Sequence, residues 1–166
     1  MDHLNESSVN DLFASAVRAF PYTRMRQHAT GPIIIESLRW TPFLGVKTLF
    51  IKAEARNEDR HYTPMILFKN VDYDGDGITI IASDGLEYSF DKLSLENQDV
   101  LLRCNCPDFY WRFNYYDYID RSLYGNKRGK YESKGGLPAN PKKLPGMCKH
   151  LMKMSEALRD AGLFYD

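Results

Sequence analysis

The chain has 166 residues, 43% of them hydrophobic, and its 22 basic and 22 acidic residues give a formal net charge of zero. This size and composition predict one globular domain and exclude a disordered chain. The charge balance excludes a protein whose whole surface binds nucleic acid. The polar, acidic start and the lack of a long apolar run predict no signal peptide and no membrane span, and therefore synthesis in a cytoplasm.

The first 30 residues are predicted to form an N-terminal helical arm and a linker, followed by a single domain over residues 31–166. The stretch "SSVNDLFASAVRAF" places apolar residues at helical spacing behind a serine that can cap the helix. Pro21 ends this helix, because proline breaks the helical hydrogen-bond pattern. The apolar stripe must cover a surface, which is either its own sheet or a neighbouring subunit.

Residues 31–103 alternate between short apolar stretches and turns, a pattern typical of antiparallel β-structure. In "VKTLFIKAEAR", Leu49 and Ile51 point to one side of a strand and Lys52 to the other. The pair Asp84-Gly85 lies between two strand-like stretches and predicts a hairpin. We therefore expect an α+β fold, in which a small antiparallel sheet is followed by a further unit and a C-terminal helix.

The stretch "DYDGDG" places Asp72, Asp74 and Asp76 at the spacing of the first half of an EF-hand calcium loop. The twelfth position would be Ser83 rather than a bidentate glutamate, and the flanking stretches are strand-like. A solvated hairpin turn is therefore the preferred interpretation, and a weak cation site is the alternative.

The last third of the chain contains two predicted helices with a loop between them. Pro107 and Asp108 suit the start of the first helix. A stretch rich in glycine, proline and lysine follows, and we treat residues 119–144 as an insertion. The final helix is amphipathic and ends near Gly162. Its apolar face combines Met147, Leu151, Met154 and Leu158.

All three cysteines fall within two short motifs, "CNC" and "CKH". Cys104 and Cys106 point the same way if the strand before them stays extended, so both sulfurs can reach one ion. Cys148 and His150 can join them only at a helix start, because residues two apart in mid-helix diverge by roughly 200°. Three thiolates and one imidazole form a closed tetrahedral site for one structural Zn²⁺.

Two other interpretations of these residues remain open. The three cysteines could be inert thiols in the core, where small cysteine side chains are common. Cys148 and His150 could form a catalytic dyad, although no third residue that would orient the histidine can be singled out. The sequence shows no phosphate loop, nucleotide fingerprint or paired catalytic carboxylates, so we expect no enzyme activity and no small-molecule substrate.

The order C-x-C…C-x-H resembles the SWIM-type zinc finger, and "CNCPDF" with "GMCKHLMK" matches that pattern at its ligands. The resemblance covers residues 104–154 and implies that the unit after the antiparallel sheet is a SWIM-like zinc unit that ends with the C-terminal helix. The 41 residues between Cys106 and Cys148 are more than is usual in that family. The longer string also resembles small zinc-binding virion and structural proteins of tailed bacteriophages. That resemblance implies a structural protein that docks onto other proteins of an assembly, made in a bacterial cytoplasm and incorporated into the virion.

The region from Pro107 to Lys153 carries ten basic and four acidic residues, a net charge of +6. It also contains eight tyrosine, tryptophan and phenylalanine residues after Phe109. Basic residues interleaved with aromatic ones can bind single strands by stacking, so a nucleic-acid-binding or regulatory zinc-finger protein is the alternative function. We prefer packing of the aromatic residues on the sheet and the zinc site. Some of them, Tyr124 and Tyr131 included, are expected to contact a partner protein.

Overall fold

The computed structural model describes residues 7–20, 32–127, 129 and 139–166. The linker predicted at 21–30 and much of the insertion therefore lie outside the described residues. The described strands are β1 Ile33–Phe43, β2 Thr48–Asn57, β3 Arg60–Tyr62, β4 Met65–Phe68, β5 Ile78–Ile81, β6 Glu87–Phe90 and β7 Val100–Arg103. The described α-helices are α1 Val9–Ala19, α2 Pro107–Arg112, α3 Asn114–Ile119 and α4 Lys149–Asp160. The predicted α+β class is confirmed.

The main sheet is antiparallel and has the strand order β1-β2-β4-β7, with β3 paired to the end of β2. The alternation read from the sequence is present in β2, where Leu49, Ile51, Ala53 and Ala55 are fully buried and Lys52 and Glu54 are exposed. Burial of this one face fixes the strand register, because a slip of one residue would bring the charged side chains into the core.

The strands β5 and β6 form a separate two-stranded hairpin, as the Asp84-Gly85 pair predicts. Gly85 has a φ of 84°, a conformation that favours glycine. The hairpin touches the free edge of β1, where the Ser83 amide donates to the Trp40 carbonyl at 2.8 Å. The hairpin therefore covers part of an edge strand that would otherwise be open.

The helices and the sheet share one hydrophobic core. From α1, Val9, Leu12 and Ala16 are buried in it, so this helix covers the core of its own chain. The predicted face of the last helix is also buried, with Met147, Leu151, Met154 and Leu158 fully inaccessible to solvent. Among the helices that the structure describes, none has the length and hydropathy needed to cross a membrane.

The segments around β7 connect the sheet to the C-terminal half of the chain. The Leu102 amide donates to the Ser122 carbonyl, and the Tyr124 amide donates to the Leu102 carbonyl. Residues 122–124 therefore cover the outer edge of β7. Beyond α4, Phe164 forms a bridge with Leu93. The chain leaving β7 is thus held in place on one side by its own downstream segment, and it delivers Cys104 to the interior.

Candidate metal centre

The four predicted ligands lie where two chain segments enter helices. Cys104 directly follows β7, and Cys106 is the N-cap residue of α2. Cys148 is the N-cap residue of α4, and His150 lies in its first turn. This is the arrangement that the C-x-H spacing requires, since the two side chains would diverge in mid-helix.

The structure brings the four side chains together at one point. The three Sγ atoms and one imidazole nitrogen all lie within 4.8 Å of one another. Nδ1 of His150 is 3.9 Å from the Sγ atoms of both Cys104 and Cys148. All four residues are at most 3% exposed, and the three cysteines form no disulfide. Among the described residues, no other group of acidic, cysteine or histidine side chains converges in this way, and the turn at Asp72, Asp74 and Asp76 does not.

The thiols occupy different electrostatic environments although they lie close together. Hydrogen bonds from Cys104 and Cys148 hold the pKa of Cys106 far below its usual value. The amide of Phe109 also donates to the Cys106 Sγ at 3.3 Å. Burial raises the pKa values of Cys104 and Cys148 well above the usual thiol value. Cys106 is therefore the thiol that ionises most readily, and a buried cation is needed before all three thiols can ionise together.

The donor set fits one Zn²⁺ better than the alternatives. Thiolate and imidazole donors in a closed four-ligand set are typical of structural zinc, whereas Ca²⁺ and Mg²⁺ require oxygen ligands. A tetrahedron with bonds of about 2.0–2.3 Å has edges of roughly 3.3–3.8 Å. The 3.9 Å separations between the imidazole nitrogen and two Sγ atoms are close to such an edge. Four protein donors leave no coordination position for a water or a substrate, so the centre suits structural stabilisation.

A buried polar network positions the segment that leads to Cys148. Asp117 is completely buried, and its Oδ1 accepts the Gly146 amide at 2.7 Å. The Asn140 side chain donates to the carbonyls of Arg112 and Leu144 at 2.9 and 2.8 Å. Burial raises the pKa of Asp117 well above its usual range. These contacts link α2 and α3 to the approach to the second ligand pair.

The surroundings of His150 include residues that the sequence pattern does not single out. The Tyr62 ring lies 4.6 Å from the imidazole, measured between centroids. Tyr62, Asn57 and Trp111 line a cleft of about 570 Å³ that borders Cys106 and His150. Asn57 and Tyr62 precede Cys104 by 47 and 42 residues. The pairing of β4 with β7 brings this part of the chain to the ligands. No spacing in the sequence signals that contact.

The contacts that Tyr124 and Tyr131 are predicted to form with a partner protein stay a prediction. Tyr124 stacks on Phe50 with centroids 5.0 Å apart, and its carbonyl accepts from Arg103 at 3.0 Å. It therefore packs against the sheet of its own domain, because β7 pairs with the segment that carries it. Tyr131 lies outside the described residues. On α2 and α3, Tyr110, Trp111 and Tyr118 are 36–49% exposed.

Comparison with known proteins adds no relative. No protein-family model matches this chain, and no curated protein or solved structure matches it either.

Proposed function

We propose that this chain is a non-enzymatic structural protein, stabilised by one zinc ion, that docks onto other proteins of a tailed-phage virion. The observation that carries the stabilising role is the convergence of Cys104, Cys106, Cys148 and His150 in the core. The virion assignment is supported by the resemblance of the motif string to phage structural proteins. The absence of an open coordination position supports a structural rather than a hydrolytic metal.

Docking is supported by exposed hydrophobic side chains on α3. Tyr118 and Ile119 are adjacent there and are 43% and 50% exposed. The Lys127 ammonium lies 4.8 Å from the centre of the Tyr118 ring. Aromatic residues beside cations are common anchors of protein interfaces, because they bury a large apolar area and keep a polar contact. We call Tyr118 and Ile119 the α3 docking surface.

The metal assignment is tested by the metal content of purified variants. The wild-type chain is expected to contain about one zinc per molecule, as a closed Cys₃His site requires. Cys104→Ser and His150→Ala should both lose zinc and should lose similar stability, because each removes one bond to the same ion. His61→Ala is the matched control, since His61 is exposed and its Nδ1 lies 3.6 Å from Glu36. Loss of zinc from only one of the Cys104→Ser and His150→Ala variants would contradict a single shared site.

The docking assignment is tested in purified particles. Quantitative mass spectrometry should find the chain at a fixed ratio to the major capsid protein. A Tyr118→Ala, Ile119→Ser double variant should retain its zinc but be depleted from particles at least tenfold. Tyr165→Ala is the control, because Tyr165 is an exposed aromatic residue near the C-terminus. A chain found in infected cells but absent from particles would contradict the virion assignment.

A further inference from the structure

The loop between β1 and β2 exposes a group of apolar side chains that the metal centre does not involve. Phe43, Leu44 and Val46 are 46%, 51% and 70% exposed, and we call them the loop surface. They lie close together, because Leu44–Val46 form one short 3-10 turn directly after Phe43. Single exposed apolar residues are common on proteins, whereas a contiguous group is typical of an interaction site.

The loop surface is held in a defined position by the chain segment beside it. The Lys47 carbonyl accepts the Val71 amide at 2.8 Å, and the Tyr73 hydroxyl donates to the Thr48 carbonyl. These contacts fix the turn before any partner binds. A surface that is already ordered loses less conformational entropy on binding, which favours its use in docking.

The surroundings of the loop surface are acidic. Four exposed carboxylates lie in or next to the segment that holds it: Asp72, Asp74, Asp76 and Asp91. The Asp91 amide donates to the Asp72 carbonyl at 3.0 Å, which joins the last of these residues to the others. The carboxylates outnumber the lysines of the same region, Lys47, Lys69 and Lys92. Over residues 72–99 the sequence carries eight acidic residues and one basic residue, a net charge of −7.

The α3 docking surface has the opposite charge. Arg121 and Lys127 are exposed beside it. Of the two carboxylates in the same stretch, Asp117 is completely buried and Asp120 accepts the Ser7 hydroxyl at 2.8 Å. The sequence from 107 to 153 carries a net charge of +6. An apolar surface with acidic surroundings and an apolar surface with basic surroundings are complementary, and such pairing determines which partners associate.

The two surfaces lie at opposite edges of the main sheet. The loop surface is at the end of β1, which is the first strand in the sheet order. Residues 122–124, which follow α3, lie along the outer edge of β7, the last strand in that order. The two edges are roughly 14 Å apart, because adjacent strands are spaced by about 4.8 Å. One chain therefore cannot pair its own two surfaces, whereas two copies can.

We propose that the loop surface of one copy binds the α3 docking surface of a second copy of this chain. The apolar turn covers Tyr118 and Ile119, and the carboxylates around it face Arg121 and Lys127. Each copy keeps one surface of each kind for a further neighbour, so the copies associate head to tail into a ring or a filament. This contact rests on the α3 docking surface proposed above and assigns it a partner.

The experiment is analytical ultracentrifugation of the full-length, zinc-loaded chain over a range of protein concentrations. The average mass should rise beyond that of a dimer as the concentration increases, because each bound copy still offers one surface of each kind. At a fixed concentration, the mass should fall when salt is raised from about 0.1 M to 1 M, since the screening length shortens from roughly 10 Å to 3 Å.

Two double variants each remove one of the surfaces. Leu44→Ser with Val46→Ser removes the loop surface, and Tyr118→Ala with Ile119→Ser removes the α3 docking surface. Both change exposed side chains, so zinc content and melting temperature should stay the same. Each variant alone should be monomeric, whereas an equimolar mixture should form a one-to-one dimer that grows no further. Ile34→Ser is the control, because Ile34 is an exposed apolar residue at the other end of β1, and it should associate like wild type.

A charge exchange tests the same contact without changing its apolar side chains. Asp74→Lys and Lys127→Glu should each weaken association at least about threefold, because each replaces an attraction across the contact with a repulsion. A mixture of the two single variants should recover the association, since the altered loop surroundings then face the altered α3 surroundings with opposite charges again.

Three outcomes would overturn the head-to-tail contact. One is a wild-type chain that stays monomeric up to about 1 mM. Another is association of either double variant alone at the wild-type level, which would show that one surface pairs with itself. The third is a mixture of the two folded double variants that stays monomeric.

The particle experiment described above separates this contact from the proposed function. A chain that is monomeric in solution but enters particles through Tyr118 and Ile119 would keep its docking role and would have another virion protein as its partner. A chain that associates head to tail but is absent from particles would keep the contact between copies and lose only the virion assignment.

Discussion

At the scale of single residues, Gly146 shows how tightly the approach to the metal centre is packed. A Cβ atom there would lie 2.6 Å from Cε1 of Phe113 and 2.9 Å from Cβ of Ala16. Gly146→Ala should therefore lower the free energy of unfolding by about 1–3 kcal/mol, as overpacking of a core does. Gly45→Ala is the matched control, because a Cβ atom at Gly45 meets nothing within 4 Å. Urea denaturation measures both, and equal effects would contradict this account.

Asp117 is a buried carboxyl group whose neutral form is favoured in the folded protein. Because burial raises its folded pKa, its contribution to stability is complete below the unfolded pKa and is lost as the pH rises toward the folded value. Asp117→Asn keeps an acceptor for the Gly146 amide and carries no charge. It should therefore raise the free energy of unfolding at pH 7 by on the order of 1 kcal/mol.

The pH dependence and a second variant check the cause of that effect. The advantage of Asp117→Asn should shrink below about pH 4, where the carboxyl is protonated in both states. Asp117→Ala removes the acceptor from a buried amide and should cost about 1–3 kcal/mol at every pH. An asparagine variant that is less stable than wild type at pH 7 would show that the ionised carboxylate stabilises the fold.

At the scale of elements, α1 begins with a complete capping box. The Ser8 Oγ accepts the Asp11 amide at 3.2 Å, and the Asp11 carboxylate accepts the Ser8 amide at 3.1 Å. Ser8→Ala should cost about 1 kcal/mol. Ser15→Ala in the same helix should be neutral or stabilising, because the Ser15 hydroxyl is buried without a partner within the described residues. In thermal melts, the melting temperature should fall for Ser8→Ala and should stay the same or rise for Ser15→Ala. Equal decreases in the two variants would argue against a role for the cap.

The sequence predicts the elements well where one local pattern decides them. Alternating burial in β2, the Asp84-Gly85 turn and the apolar face of α4 each follow from local chemistry. The approach of Cys104 to Cys148 is also predictable, because both pairs must reach one ion. The position of Tyr62 against His150 is not, since it results from the pairing of β4 with β7 over a long sequence separation. The same holds for Tyr124, whose contact with the sheet depends on the bridge at Leu102.

At the scale of the whole molecule, the metal centre connects the end of the sheet to the last helix. Cys104 follows the edge strand β7, whereas Cys148 begins α4, whose buried face belongs to the common core. Without a cation, burial disfavours ionisation of Cys104 and Cys148. An ion bound by these four residues would therefore hold together parts of the chain that are separated by more than 40 residues.

Removal of the metal should consequently unfold at least residues 100–166. Structural zinc in finger peptides binds with an apparent free energy of about 10–16 kcal/mol at neutral pH, so its loss outweighs the usual stability of a small domain. The measurement is a melting curve with and without a chelator in the presence of a reducing agent, with hydrogen exchange locating the unfolded region. Adding back Zn²⁺ should restore the transition, whereas Mg²⁺ should not, because its ligands are oxygen atoms. An unchanged melting temperature after complete chelation would show that the sheet and helix pack together without the ion, and that the buried ligand cluster contributes no stability through a metal.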